Sequence, residues 1–227
     1  LFKVLRFCIN LINKVEISKA MKKGVFIVID GIDGSGKSEI VKMLHNYLFS
    51  KSKNYRILIT REPTNGKYGK QIRRMLRNEK DPESSSRKLV NLFIKDRAEH
   101  LKNTIEPFLK ASKRHELNIV LCDRYYYSTI AFQGAQGLSI KGMIQKNKQF
   151  RKPDISFILD VEPSVALERI EYRQKEKFEQ LEFMKRIRRN FLKMPKLVND
   201  NIKIIDASKS LKRIFESIKK EVDKMLG

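Results

Sequence analysis

Five short runs of apolar and β-branched residues, at positions 25–30, 56–60, 118–123, 155–161 and 202–206, punctuate a chain whose intervening segments carry apolar residues at helical spacing. Runs of this length read as buried strands, and their alternation with helical stretches predicts a parallel sheet covered by helices. In the first helical stretch Ile40, Val41, Leu44, Tyr47 and Leu48 give one apolar face to lay on that sheet. A longer helical stretch over 86–103 meets Thr104, expected to cap it, and then Pro107, expected to kink or restart the helix before the third strand. Pro163 suits the first turn of a further helix. Over 165–192 the pattern stays helical but is highly charged, and the weakly apolar section 174–179 reads as a mobile cover. No internal repeat, Gly/Ser linker or low-complexity tract interrupts the pattern, so one domain is expected over residues 21–227.

With 227 residues, 41% hydrophobic and 33% charged, the chain is long enough to bury a sizeable core, and a disordered tail protein is excluded. Cys8 and Cys122 lie far apart and lack C-x-x-C spacing. Neither a disulfide framework nor a structural zinc is indicated, and a reducing, cytoplasmic setting is the expectation. The longest uncharged stretch near the start, residues 7–13, is much shorter than the ~20 apolar residues that span a bilayer, so no membrane partner is expected. Lys3, Arg6, Lys14 and Lys19 interrupt the apolar residues of segment 1–20, which is not the pattern of a signal peptide. That segment reads as an N-terminal extension, either an upstream addition or an amphipathic helix, ahead of a domain start at Met21.

Charge changes the picture more. Forty-nine Lys and Arg stand against 26 Asp and Glu, a net +23, which fits either a nucleic-acid footprint or a solvated surface around an anionic small-molecule site. In the last third acids and bases interleave, as in Glu168-Arg169, Glu171, Arg173 and Lys175-Glu176-Lys177, the pattern of solvated helix faces. Nucleic acid is therefore not the expected partner, despite the charge.

The segment with the strongest chemical meaning is Gly31-Ile32-Asp33-Gly34-Ser35-Gly36-Lys37-Ser38, which fits G-x-x-x-x-G-K-[ST] between a predicted strand and a predicted helix. The glycines let backbone N–H groups curl around phosphate oxygens at the positive end of the following helix. Lys37 then reaches the β- and γ-phosphates, and Ser38 offers its hydroxyl to Mg²⁺. A nucleoside triphosphate and Mg²⁺ are the cofactors this implies. Asp123 ends the third strand on the edge where ligands of open α/β sheets gather, which suits a second Mg²⁺ ligand. Taken alone, a salt bridge from Asp123 to a neighbouring Lys fits equally well.

The order and spacing of further motifs carry a family resemblance: Phe26 to Ser38; Thr60-Arg61-Glu62-Pro63; Leu92-Phe93 through Arg97; Asp123-Arg124-Tyr125; Ser128 to Gly134; Lys152-Pro153-Asp154; Leu159-Asp160-Val161; and Ile205-Asp206-Ala207. Over about residues 24–215 the chain resembles the thymidylate kinases, P-loop enzymes that phosphorylate dTMP with ATP. The resemblance implies a three-layer P-loop NTPase fold, a five-stranded parallel sheet flanked by helices with a short helical lid at about 166–180. It also implies a homodimer.

The same resemblance assigns roles. Phe93 becomes the stacking platform for thymine, with a core Phe as the competing reading. Arg97, one helical turn on, donates to the base, with an ion pair to Glu99 or Asp96 as its alternative. Arg124 and Arg61 bind the acceptor phosphate through guanidinium forks, and Pro63 shapes the acceptor loop. Ser128 and Thr129 meet the pyrimidine edge, unless they cap a helix. Phe132 lies under the sugar and disfavours a 2′-hydroxyl, or else is a core residue. Asp33 serves the acceptor side or the Mg²⁺ shell, unless it caps the loop's own amides. Ala207, after the last strand, belongs to the loop against which adenine rests. Some relatives carry Arg directly after the Asp33 position, where this chain has Gly34. The cation on the transferring phosphoryl group then comes from the lid, with Arg173 ahead of Arg169 and Lys177.

The implied reaction is transfer of the γ-phosphoryl of ATP to dTMP. A kinase for another pyrimidine monophosphate is the alternative within this class, and a P-loop ATPase stimulated by nucleic acid is the alternative outside it.

Overall fold

The computed structural model describes residues 24–78, 82–113, 115–170 and 174–227. Five strands form one sheet: β1 (Val25–Gly31), β2 (Tyr55–Arg61), β3 (Leu117–Asp123), β4 (Ile155–Asp160) and β5 (Ile202–Asp206). Their spatial order is β2-β3-β1-β4-β5, and every pairing is parallel. β1 is buried at all its positions, which is why it reads as an unbroken apolar run, whereas edge strand β2 is only partly covered.

The helices are α1 (Lys37–Lys51), α2 (Lys67–Asn78), α3 (Pro82–His100), α4 (Glu106–Lys110), α5 (Tyr126–Ala135), α6 (Ile140–Asn147), α7 (Pro163–Glu168), α8 (Gln174–Leu197) and α9 (Leu211–Leu226). In α1, Ile40, Val41, Leu44 and Leu48 are buried as their spacing predicts. Pro163 occupies the first turn of α7. No helix among the described residues is long and apolar enough to cross a membrane.

One expectation is corrected between α3 and β3. Thr104 caps nothing; it lies within a π-helical turn, Leu101–Ile105, that joins α3 to α4 without a break. Pro107 sits in the first turn of α4. A proline ring crowds the carbonyl four residues earlier, and the wider turn just before it relieves that contact without ending the helix. The expected lid, 166–180, takes in the end of α7 and the start of α8. Its residues 171–173, Arg173 among them, and segment 1–20 lie outside the described residues.

Strand register decides where chemistry can occur. Arg61 pairs with Asp123 across β2 and β3, Gly31 with Leu159 across β1 and β4, and Asp160 with Asp206 across β4 and β5. The carboxyl ends of all five strands therefore open on one edge. The strand order reverses there, with β1 between β3 and β4, which makes the crevice characteristic of ligand sites in such sheets.

Candidate active site

The loop from Gly31 to Gly36 leaves β1 and enters α1 through three glycines with positive φ: Gly31, Gly34 and Gly36. Gly34 admits no side chain, because a Cβ there would lie 2.2 Å from the Ala166 carbonyl oxygen. Helix α7 thus packs directly on the phosphate loop. Lys37 is buried, and its Nζ donates to the Ile32 carbonyl at 2.7 Å. Burial, then repulsion from Arg124, lowers its pKa to about 8 against the opposing pull of Asp33, Asp123 and Asp30.

At the mouth of the loop, Ser38 Oγ donates to Asp123 Oδ2 at 3.0 Å. The other oxygen, Asp123 Oδ1, is buried and has no hydrogen-bond partner among the described residues. An orphaned carboxylate oxygen beside a hydroxyl is an oxygen-donor pair that fits a hard divalent cation such as Mg²⁺.

Arg124 takes φ +71°, unusual for a side-chain-bearing residue, and this turns its guanidinium back over β1. Nη2 donates to Asp33 Oδ1 at 2.5 Å, and Nη1 donates to Ser128 Oγ at 2.9 Å and to the Gly31 carbonyl at 3.3 Å. Its Cζ stands 5.3 Å from the Phe132 ring centroid. Partial burial works to raise the Asp33 carboxyl, but Arg124 and Lys37 outweigh it and hold Asp33 below the usual carboxylate range. The loop-capping reading of Asp33 gives way to this pairing with Arg124.

Beneath Arg124 lies an acid that motif reasoning did not single out. Asp30 is fully buried and accepts from the amides of Gly31 at 2.8 Å, Tyr125 at 3.2 Å and Ser128 at 3.0 Å, and from Ser128 Oγ at 2.7 Å. It joins the phosphate loop to the start of α5 and stands 3.9 Å from Arg124. Burial pushes its carboxyl up, partly offset by the Arg124 guanidinium. The Ser128 hydroxyl, spending its hydrogen on Asp30 and accepting from Arg124, neither caps α5 nor faces away from the loop.

A cavity of about 680 Å³ opens beside this junction and gathers all of the expected acceptor residues: Asp33, Arg61, Pro63, Phe93, Arg97, Arg124, Ser128, Thr129 and Phe132. Phe93 is half-buried, packing on Ile72, Leu89 and Leu92 while leaving part of its ring to the cavity. Phe132 is likewise half-buried and meets Phe191 edge-on at 6.4 Å. The cavity also takes in Gln133, Gln180 and Phe183, which sequence reasoning missed. Gln133 Oε1 is buried with no partner among the described residues. Its signal was present in Phe132-Gln133-Gly134, but only the fold turns that side chain inward.

Arg97 departs from both sequence readings of its alternative partner. It pairs with neither Glu99 nor Asp96 but with Glu62: Nε donates to Glu62 Oε2 at 2.9 Å, with Nη2 at 2.7 Å from the same oxygen. Nη1 donates to Asn147 Oδ1 at 2.6 Å and Nη2 to Thr129 Oγ1 at 3.0 Å. A charge with no solvent exposure demands such saturation. Asp96 instead accepts from Thr64 N and Thr64 Oγ1, at 2.7 and 2.6 Å, and pins the acceptor loop.

On the lid side, Arg169 donates from Nη1 to the Gly34 carbonyl and from Nη2 to the Ala207 carbonyl, each at 3.3 Å. Buried Ala207 in turn donates its N–H to the Asp160 carbonyl at 2.7 Å. The loop after β5 and the phosphate loop are thereby bridged by one side chain. Arg173 lies outside the described residues, as does the side chain of Lys177.

Known proteins match this architecture. The family model described as Thymidylate kinase covers residues 29–218. A thymidylate kinase of Leptospira interrogans is 39% identical over 199 residues, covering 86% of this chain and 92% of that protein. A probable thymidylate kinase of Pyrococcus horikoshii is 36% identical over 201 residues, covering 86% and 94%. The crystal structure of thymidylate kinase from Ehrlichia chaffeensis superposes with a TM-score of 0.68 at 29% identity, covering 88% of this chain and 98% of that one. Phosphate loop, strand order and acceptor cavity occur here on a sequence that matches these relatives nearly end to end, and the chain belongs to the thymidylate kinase family.

Proposed function

We propose that the chain transfers the γ-phosphoryl group of ATP to the 5′-phosphate of dTMP, giving dTDP and ADP, the reaction of its family. The observation that carries this reading is Arg124. One guanidinium joins the phosphate loop, through Gly31 and Asp33, to the acceptor cavity, through Ser128 and Phe132. A fixed cation at that junction sits where donor and acceptor phosphates must approach each other, and their mutual repulsion is the main obstacle to transfer.

The phosphate-loop amides cradle the β- and γ-phosphates, and Lys37 exchanges the Ile32 carbonyl for them. Ser38 and the orphaned Asp123 oxygen hold Mg²⁺, which when bound offsets negative charge on those phosphates. Arg124 and Arg61 grip the acceptor phosphate while Asp33 orients Arg124. In the cavity Phe93 stacks on thymine, Phe132 lies under the deoxyribose, and Pro63 shapes the wall. Arg97, Thr129 and Gln133 face the base edge. The acceptor phosphate is already ionised, so no general base is needed; alignment and charge neutralisation carry the step. The family pattern adds closure of segment 166–180 over the donor to exclude water, with Arg173, outside the described residues, as the cation for the moving group, and Ala207 as the backing of the adenine. The family pattern extends this reading to a cytoplasmic homodimer.

The test is coupled ADP release with MgATP and each of dTMP, dUMP, UMP, dCMP, AMP and dGMP, with and without DNA. Preferential turnover of dTMP, lost in Lys37→Ala and Arg124→Ala, is the expected result. No turnover of any monophosphate, with hydrolysis stimulated by DNA, would overturn it.

A further inference from the structure

Phe93, Arg97 and His100 follow one another at intervals of four and three on α3, so they share a helix face. The first two line the acceptor cavity. His100 does not; it lines a second cavity of about 630 Å³, on the other side of Arg61, together with Thr60, Ser38 and Asp123. The wall between the two spaces is a chain of hydrogen bonds. His100 Nδ1 lies 3.2 Å from Glu62 Oε1, whose other oxygen holds Arg97, and His100 Nε2 lies 2.6 Å from Thr60 Oγ1. An ionised Glu62 only accepts, so these partners assign a proton to Nδ1, and in the neutral ring Nε2 accepts from the Thr60 hydroxyl.

Both of its partners belong to the segment that delivers the phosphate-binding side. Thr60 precedes Arg61 at the end of β2, and Glu62 follows it. The Glu62 amide in turn donates to the Asp123 carbonyl at 3.0 Å. One imidazole, itself buried, therefore clamps the end of β2 to the helix that carries Phe93 and Arg97. The π-helical turn begins directly after it, at Leu101, so the clamp marks the last residue of α3 held in α-helical register.

From this geometry we infer that His100 is a positioning residue that sets the spacing between the base-reading face of α3 and the phosphate-gripping end of β2. It acts through Thr60 and Glu62 and touches no substrate. The inference rests on the reading of the larger cavity as the dTMP site. A ligand that spans both subsites depends on their spacing, whereas a ligand that occupies only the base and sugar subsite does not.

That difference supplies the experiment: KM for dTMP, KM for ATP, kcat, and the inhibition constant of thymidine, measured on the parent, His100→Phe and His100→Asn. Phenylalanine keeps the ring and removes both bonds. Asparagine keeps a donor near the Nδ1 position toward Glu62. Loss of the clamp is expected to raise the dTMP KM about tenfold, the equivalent of one buried hydrogen bond. Thymidine inhibition and the ATP KM should change less than about threefold, and His100→Asn should recover most of the dTMP KM. Equal weakening of thymidine and dTMP, or an unchanged dTMP KM in the folded variant, overturns the inference. Where His100→Phe fails to fold, Thr60→Val removes a single hydroxyl, and the same split with a smaller rise is required. A parent enzyme that does not turn over dTMP refutes the underlying site reading instead, a result separate from any of these.

Discussion

Replacing Lys37 by methionine separates what this side chain does for catalysis from what it does to the fold. Burial and the nearby Arg124 lower its pKa from 10.5 to about 8. At ~1.4 kcal/mol for each tenfold change in acidity, the folded protein disfavours this charge by ~3 kcal/mol relative to water. Methionine matches the stem but leaves the Ile32 carbonyl without the donor it now has at 2.7 Å, a loss of ~1 kcal/mol. Lys37→Met should then abolish transfer yet stabilise the nucleotide-free protein at pH 7 by ~2 kcal/mol, or roughly 4–8 °C for a chain of this size. The sign with pH follows from linkage. Below pH 8 both folded and unfolded chains carry the proton, so the penalty is fully present. Between about 8 and 10.5 only the unfolded chain keeps it, and the parent's stability rises toward the variant's. Urea unfolding of both proteins at pH 7, 9 and 10.5 measures this difference, in which other titrating groups largely cancel. Nucleotide phosphates restore the proton, so calorimetry at pH 8.5 in buffers of different ionisation enthalpy should show proton uptake on MgATP binding. A variant less stable than the parent at pH 7, or a gap that does not narrow with pH, would refute the account.

Asp30→Asn keeps one of the two oxygens that together accept four hydrogen bonds and turns the other into a donor facing donors, a mismatch that outweighs the relief of a buried charge; a loss of ~1–3 kcal/mol is expected in urea unfolding, with kcat falling even where the protein folds. Gly34→Ala forces a Cβ to 2.2 Å from the Ala166 carbonyl at φ +75°, which should cost ~1–3 kcal/mol and raise the ATP KM by displacing α7, as read by initial rates. Arg124→Lys keeps the charge but loses the fork that reaches Asp33, Ser128 and Gly31 together, and kcat should drop ~100-fold or more while the ATP KM changes little.

The donor half of the site was legible in the chain. Gly31 to Ser38 act through the backbone of consecutive residues, so the motif itself contains the geometry, and Asp123 follows from an acid at a strand's carboxyl end. The five strands were readable for a similar reason, because burial on both faces leaves an unbroken apolar run that no helix of that length would need. The Thr104 cap failed because a π-helical turn lets the backbone absorb Pro107, an option that residue preferences do not express.

The acceptor half was legible as residue types but not as a network. Arg97 read in the chain as a donor to the base or, as the alternative, as half of an ion pair along its own helix with Asp96 or Glu99. It is held by Glu62, Thr129 and Asn147, which are 35, 32 and 50 residues away in sequence. Asp30 is tied to Ser128 across 98 residues. Local pattern determined that this chain binds nucleoside triphosphate on an open parallel sheet. Tertiary structure alone decided which charges are buried together, because the low dielectric that makes an unpaired ion intolerable exists only once distant elements have packed around it.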